Sequence, residues 1–388
     1  MEALTIVQML EKTGFATGSV VQMFEAARGL AERGHTVLAV TRPSAEMADR
    51  CAAAGVEHAP LALRHEFDLP SMLRFARLAR ERHVDVVHVH KGIAHAVALG
   101  ATFLRARYGL VVNRGVSFPI DRWSSFKYRS RRVSRIVTVA ESIRQVVVGG
   151  GIPPHKVSVV YAGVDVDRFD PARTDPGRVR AELGIPAEAR LVGHVGMRDW
   201  KGWKELLRAF PAVRADHPTA HLLLVACTSQ AQKDGVGELA RDLGLAGAVT
   251  ATMARPDMPE VLAACDVVVD PSWAGTGITG TIREAMALAR PVVATSVAGN
   301  PELVEDGTCG ILVPPRDVPM LAAAISRLLR DGELAARFAA AGQARVRENF
   351  STATRISRLE AIYLRAAHEA RLPGGGSRGR FPHPFGRS

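Results

Sequence analysis

Through the first 160 residues, short apolar, β-branched runs alternate with longer stretches whose apolar positions recur every three or four residues. Leu4, Ile6 and Val7 read as a strand and Val20 to Glu32 as a helix with one apolar stripe. Gly34 stops that helix before the strand Thr36 to Val40. Val84-Asp85-Val86-Val87-His88-Val89-His90 reads as a buried strand, followed by a small-residue helix from about Ile93; Leu110 to Val112 and Ile136 to Val139 continue the series. The alternation pauses across Tyr161 to Pro171, a polar stretch, and restarts at Leu191 to Val195, Ala220 to Val225, Asp266 to Val269, Val292 to Ala294 and Gly310 to Val313. Strands alternating with helices predict an α/β protein with two mostly parallel, doubly wound, Rossmann-like sheets.

The pause divides the chain into an N-terminal domain, 1–170, and a C-terminal domain, 171–350. A helix over 351–372 is assigned to the return onto the N-terminal domain. Residues 373–388 carry Gly, Pro and Arg without periodicity and are expected to be disordered. Two such sheets facing each other make a cleft, and ligands of doubly wound sheets bind beyond the carboxyl ends of the strands.

With 388 residues, 47% hydrophobic and 23% charged, the chain has ample material for two cores. Its longest uncharged stretches, such as Gly92 to Leu104, fall short of the roughly 20 apolar residues of a spanning helix, and no export signal is recognisable at Met1 to Lys12. Cys51, Cys227, Cys265 and Cys309 are widely spread, without CxxC or metal-ligand spacing, which argues against a disulfide framework and a structural zinc; a cytoplasmic protein is expected. The net charge of +11 is uneven: residues 1–170 hold 23 Lys/Arg against 16 Asp/Glu, whereas residues 171–370 balance at 23 against 23. One face of the first domain is therefore expected to meet an anionic partner.

Two segments carry candidate chemistry. In Gly275-Thr-Gly-Ile-Thr-Gly-Thr-Ile-Arg-Glu284, a Gly/Thr-rich loop leads from a strand into a helix. Small residues let backbone N–H groups approach a ligand at the positive end of a helix, an arrangement suited to a diphosphate. Thr281-Ile-Arg-Glu284 equally fits a capping box, and both readings stand at this level. In His194-Val-Gly-Met-Arg198-Asp-Trp-Lys201-Gly202, a strand ends in glycine and two cations follow, suited to phosphate but also at home in solvent.

The run Arg283-Glu-Ala-Met-Ala-Leu-Ala-Arg-Pro-Val-Val-Ala-Thr-Ser-Val-Ala-Gly-Asn-Pro-Glu-Leu-Val-Glu-Asp-Gly-Thr-Cys-Gly-Ile-Leu-Val-Pro-Pro315 resembles the signature of the retaining glycosyltransferases with the GT-B fold, family 4. Gly163-Val-Asp165, Arg198 to Gly202 and Ala27 to Val37 are similar to other segments of that family, and the resemblance covers about residues 4–365. It implies a GT-B architecture and sugar transfer from a nucleotide-sugar donor to a cell-surface glycan or lipid-linked acceptor of the lipopolysaccharide or exopolysaccharide kind. It further implies that Arg198 and Lys201 contact the donor diphosphate and that Glu284 holds the ribose hydroxyls. Gly277, Ile278, Thr279 and Gly280 would pass beside phosphates and sugar, Met253 to Arg255 would meet the base, and Gly18 would face the donor from the first domain. The chain departs from the family where Thr276 takes the place of a first glutamate, and where Val111-Val-Asn113-Arg114-Gly115 stands in place of a histidine segment.

Breaking a sugar–diphosphate bond builds negative charge on the leaving oxygen, which Arg198, Lys201 and the helix start are placed to stabilise. No cofactor and no obligatory metal are expected: Asp165-Val-Asp167 matches a metal-binding string of another fold, but in a turn it is more simply a solvated pair. His90, at the carboxyl end of its strand, is the candidate catalytic residue, and His88 shares its face; either also fits a hydrogen-bonded core position. Arg122 to Arg135 contains six cations, three aromatics and no acid. It reads as a surface for an anionic membrane or, alternatively, as a helix with aromatics inward and Arg in water; no nucleic-acid motif accompanies it. The competing functions are a nucleotide-sugar epimerase of the same architecture and a non-catalytic nucleotide-sugar-binding protein.

Overall fold

The computed structural model describes residues 2–372 apart from Ala16, 117–119, Asp121 and Thr276; for Arg122 and Trp123 it describes only the backbone. The expectations for Thr276 and for the tail 373–388 therefore lie outside the described residues. Among the described residues, thirteen strands form two parallel sheets. The first contains β1 (Thr5–Leu10), β2 (Thr36–Thr41), β3 (Glu57–His58), β4 (Val86–Val89), β5 (Gly109–Arg114), β6 (Val133–Thr138) and β7 (Val157–Val159), in the order β3-β2-β1-β4-β5-β6-β7. The second contains β8 (Arg190–Val195), β9 (Ala220–Cys227), β10 (Val249–Met253), β11 (Val267–Asp270), β12 (Val292–Thr295) and β13 (Ile311–Val313), in the order β10-β9-β8-β11-β12-β13.

Both sheets reverse direction of winding next to their first strand, between β1 and β4 and between β8 and β11. There the loops diverge and leave a crevice at the carboxyl edge. The strands are Val-, Leu- and Ile-rich because helices cover both faces, so alternation gives way to continuous apolar runs. Each sheet has a core on either side. In the first, Val7, Val40, Phe75 and Val87 lie on one face and Ile6, Val37, Met23 and Tyr363 on the other. The edge strands β3 and β7 and strand β10 escape the sequence pattern because each is short or mixed in polarity.

The chain crosses between the sheets twice, side by side. Val164 donates its N–H to the Phe350 carbonyl and accepts from the Thr352 N–H, both at 2.9 Å. The last helix, Thr352–Arg371, then lies against β5, β6 and the helix Gly18–Glu32 of the first domain. Gly109 permits this approach, since a Cβ there would stand 2.6 Å from the Ala366 backbone. Arg135 clamps the helix with a two-pronged bond to Glu369 at 2.5 and 2.9 Å.

The basic stretch is not one helix. Arg122–Arg129 is helical, and from Val133 the chain is strand β6. Tyr128 is buried, Lys127 pairs with Glu66 at 2.5 Å and Arg135 is held by Glu369, so only part of the stretch faces solvent. Phe126 is 76% exposed, so of the two aromatics whose side chains are described one faces the core and one the surface. No helix among the described residues is long and apolar enough to cross a membrane. The four cysteines are buried free thiols.

Candidate active site

The crevice of the second sheet is built on β8 and β11. Strand β11 ends in Asp270, 1% exposed, whose Oδ2 accepts from the Lys201 ammonium at 3.0 Å while Oδ1 accepts the Ser272 N–H at 3.0 Å. Burial pushes the Asp270 carboxyl up, but the Lys201 charge, His194 and the Ser272 donor outweigh it. The group is held below the usual carboxylate range and stays an anion. Lys201 is thus fixed by a buried counter-ion at the mouth of the site. The loop carrying it is tied to the loop after β11: Trp273 donates its N–H to the Trp200 carbonyl at 3.0 Å and its indole N–H to the Asp199 carbonyl at 3.1 Å. His194 bridges the two strand ends, its Nδ1 at 3.0 Å from the Val269 carbonyl and its Nε2 at 2.8 Å from that of Gly196. Arg198 stands exposed at the start of the turn Asp199–Lys201.

The Gly/Thr loop leads into the helix Gly280–Ala287, whose N-cap is Thr279. Thr281 therefore lies inside the helix and no side-chain cap bond forms among the described residues, so the capping-box alternative is not realised and the first-turn N–H groups are without intrahelical acceptors. Asn300, buried, positions this turn by accepting the Thr279 N–H at 3.2 Å and donating to the Thr295 carbonyl at 3.1 Å. Glu284 is half-buried, with its Oε1 3.7 Å from where a Gly280 Cβ would be. Burial raises its pKa, and the charges of Arg283, Arg168 and Lys201 offset part of that rise. Gly277 has φ +90°, a left-handed conformation suited to glycine, and packs toward Val139 and Ile143 of the first domain. Ile278 touches the cores of both domains.

The other candidates are placed as follows. Gly18 opens the helix Gly18–Glu32, which has no side-chain cap at Thr17. Met253 is exposed at the end of β10. The Arg255 guanidinium is already engaged, by Glu182 at 2.7 and 2.8 Å and by Asp257 at 2.6 and 2.9 Å. Asp165 folds into its own turn, its Oδ1 accepting the N–H groups of Asp167 and Arg168, and among the described residues no cluster of three or more His, Cys, Asp or Glu forms a metal cage.

His90 follows β4 at the crevice end of the first sheet, but it is 6% exposed and belongs to a buried chain of hydrogen bonds. Its Nε2 lies 2.7 Å from Gln8 Oε1, Gln8 Nε2 donates to the Tyr363 hydroxyl at 2.9 Å, and that hydroxyl lies 2.5 Å from His88 Nδ1. A single polarity satisfies the run: His90 Nε2–H donates to Gln8, and Tyr363 O–H donates to His88. The two imidazoles share a face, with ring centroids 4.3 Å apart. Burial pushes His90 down to about 3, and the Arg355 charge adds to the fall. A neutral imidazole with so low a proton affinity is a poor general base at pH 7; it can still orient a hydroxyl.

Sequence reasoning missed Asp270, Asn300, Gln8 and Tyr363. It also missed Glu302, whose carboxylate accepts the N–H groups of Glu141 and Ser142 at 2.5 and 2.9 Å and so links the second domain to a helix of the first. The one available signal was a polar residue closing an apolar strand, as Asp270 does.

Residues 189–331 match the family described as glycosyl transferases group 1, and residues 16–168 match glycosyltransferase family 4. The D-inositol 3-phosphate glycosyltransferase of Mycobacterium marinum is 30% identical over 91% of this chain and 82% of its own length. Among solved structures, a glycosyltransferase from Rickettsia africae superposes with a TM-score of 0.85 at 20% identity, covering 94% of this chain and 99% of its own. Anabaena Alr3699/HepE in complex with UDP gives 0.81 at 23% identity, covering 93% and 100%. With its two parallel sheets, its paired crevices and these relatives, the chain belongs to glycosyltransferase family 4 and is a glycosyltransferase of GT-B fold.

Proposed function

We propose that this glycosyltransferase is a retaining enzyme that moves a sugar from a nucleotide-sugar donor, with uridine diphosphate sugars the first to test, to a cell-surface glycan or lipid-linked acceptor. The observation that carries the reading is the crevice at β8 and β11: Lys201 fixed by Asp270, Arg198 exposed at the rim, and the start of Gly280–Ala287, without a side-chain cap, beside Glu284. Fixed cations and backbone donors of this kind stabilise the charge that grows on a departing diphosphate without reorganising during the reaction. The Anabaena neighbour, described with UDP, supports the choice of nucleotide. Retention then proceeds with the leaving phosphate accepting the acceptor hydroxyl's proton on the same face of the sugar. His90, neutral and buried, is left to orient rather than to deprotonate.

The acceptor is assigned to the first domain, on whose surface Phe103 and Phe126 are 66% and 76% exposed beside Arg129, Arg131 and Arg132. Cations around exposed aromatics suit an anionic leaflet. A soluble anionic acceptor is the second reading, favoured by the inositol phosphate in the name of the Mycobacterium relative.

The test is a screen of nucleotide sugars for ligand-induced stabilisation, followed by turnover with the best donor in wild type and in Arg198→Ala. The variant is expected to fold normally and to lose about 10²- to 10³-fold in kcat, the range for removing one preorganised charge donor. Turnover near wild type would remove Arg198 from the diphosphate site. Incubation with donor alone, checked for an isomerised sugar, separates transfer from epimerisation.

A further inference from the structure

Among the described residues, several buried hydrogen-bond donors lack acceptors where the two domains meet. Arg283 is 6% exposed and lies one residue before Glu284; among the described residues its Nε–H and Nη1–H have no acceptor. Its Nη2 folds back over the first turn of Gly280–Ala287, 3.9 Å from where a Gly280 Cβ would be. Within reach of its charge on the last helix is Arg355, also 6% exposed, whose Nη1 donates to the Gln22 carbonyl at 2.9 Å. Among the described residues Ser19 Oγ, one turn before Gln22, lacks a partner, and so does His88 Nε2, which carries a proton once Tyr363 occupies Nδ1. Burial brings Arg355 down to about 10; the Arg283 charge adds to the fall, while Tyr363 and Glu25 oppose it. Two buried guanidinium groups that repel each other, with open N–H groups nearby, form an arrangement that a bare fold does not favour, since apolar replacements of similar volume would cost less.

We propose that Arg283 and Arg355 form an anion-binding pair at the floor of the cleft, taking an oxyanion of the bound donor: a phosphate oxygen of its diphosphate or the carboxylate of an acidic donor sugar. The proposal rests on the nucleotide-sugar reading above. An oxyanion there meets the open Arg283 fork and relieves the repulsion between the two cations.

The experiment compares wild type, Arg283→Met, Arg283→Lys and Arg355→Met for binding of UDP, UDP-glucose, UDP-glucuronate and inorganic pyrophosphate, by calorimetry and thermal shift. Arg283→Met without ligand is expected to be as stable as wild type or more so, because an unpaired buried charge is removed. Its affinity for UDP and pyrophosphate is expected to fall at least tenfold, with Lys restoring only part because the fork is lost. A loss confined to UDP-glucuronate supports the carboxylate source. Unchanged affinities for all probes in both Met variants overturn the proposal, and so does a destabilised apo Arg283→Met whose ligand responses are intact, which marks a structural residue. If wild type binds no nucleotide, the donor reading fails. Pyrophosphate then decides the pair alone: stabilisation of wild type but not Arg283→Met supports it, and stabilisation of neither overturns it.

Discussion

Replacing Tyr363 by Phe removes one oxygen at the point where the last helix meets the first sheet. Tyr363, Gln8 and His88 are all fully buried, so no water takes the place of the hydroxyl. Two hydrogen bonds disappear, the 2.9 Å bond from Gln8 and the 2.5 Å bond to His88. The net value of each is about 1 kcal/mol, and the orphaned Gln8 N–H and His88 Nδ1 together add roughly 1–2 kcal/mol of unrecovered desolvation. The expected loss is therefore about 3 kcal/mol, or roughly 6–12 °C in Tm at the 2–4 °C per kcal/mol typical of a domain of this size. Tyr108→Phe is the control. Its hydroxyl donates to the Ala98 carbonyl at 2.5 Å, so it removes one bond and leaves only a helix carbonyl short of its second partner, costing about 1 kcal/mol. Urea unfolding followed by circular dichroism, with calorimetric Tm values, measures both. A loss in Tyr363→Phe no larger than in Tyr108→Phe would refute the view that this chain of bonds holds the last helix to the sheet.

Acid sensitivity follows from buried neutral histidines. Burial is the largest cause holding His90 and His95 near 3 and His88 well below its ordinary 6.5. Their contribution is complete above pH 6.5 and is lost as pH falls, because the unfolded chain takes up protons that the folded chain refuses. At about 1.4 kcal/mol per pH unit for each, stability should drop by about 4 kcal/mol between pH 7.5 and 5.5; equal urea midpoints at the two pH values contradict this. Glu302→Ala uncaps the helix Glu141–Gly149 at the contact between the domains, a cap of about 1 kcal/mol. An enlarged radius of gyration in X-ray scattering with little change in Tm is expected; an identical radius argues that the contact does not hold the domains together. Replacing Arg129, Arg131 and Arg132 by Ser should weaken co-sedimentation with anionic vesicles about 100-fold, from about 1 kcal/mol per cation, and added salt should weaken the wild type. Equal, salt-insensitive binding by both proteins, or none by either, rules out the membrane reading.

Taken alone, the sequence determined whatever depends on local pattern. Continuous runs such as Leu222 to Val225 and Val267 to Val269 can be buried on both faces only in a parallel sheet, so two doubly wound sheets and their crevices followed from spacing. Arg198, Lys201 and Glu284 were nominated by a Gly-rich turn after a strand and a helix start after a Gly/Thr loop, which are local signals, and by the family resemblance. What makes Lys201 a fixed charge is not local: Asp270 is 69 residues away in the chain and meets it only because β8 and β11 are neighbours. The same holds for His90. Its position at a strand end was readable, but its neutrality comes from burial and from the field of Arg355. The Tyr363 that anchors the chain of bonds is 275 residues from His88, brought there by a helix that leaves one domain and settles on the other. The capping box failed for a similar reason: Asn300 from a distant turn fixes Thr279 as the N-cap and leaves Thr281 inside the helix. Pattern sets which elements form, because apolar periodicity is a property of neighbours in sequence. Protonation, counter-ions and the open ends of helices are set by neighbours in space, and those exist only once the two sheets have folded and met.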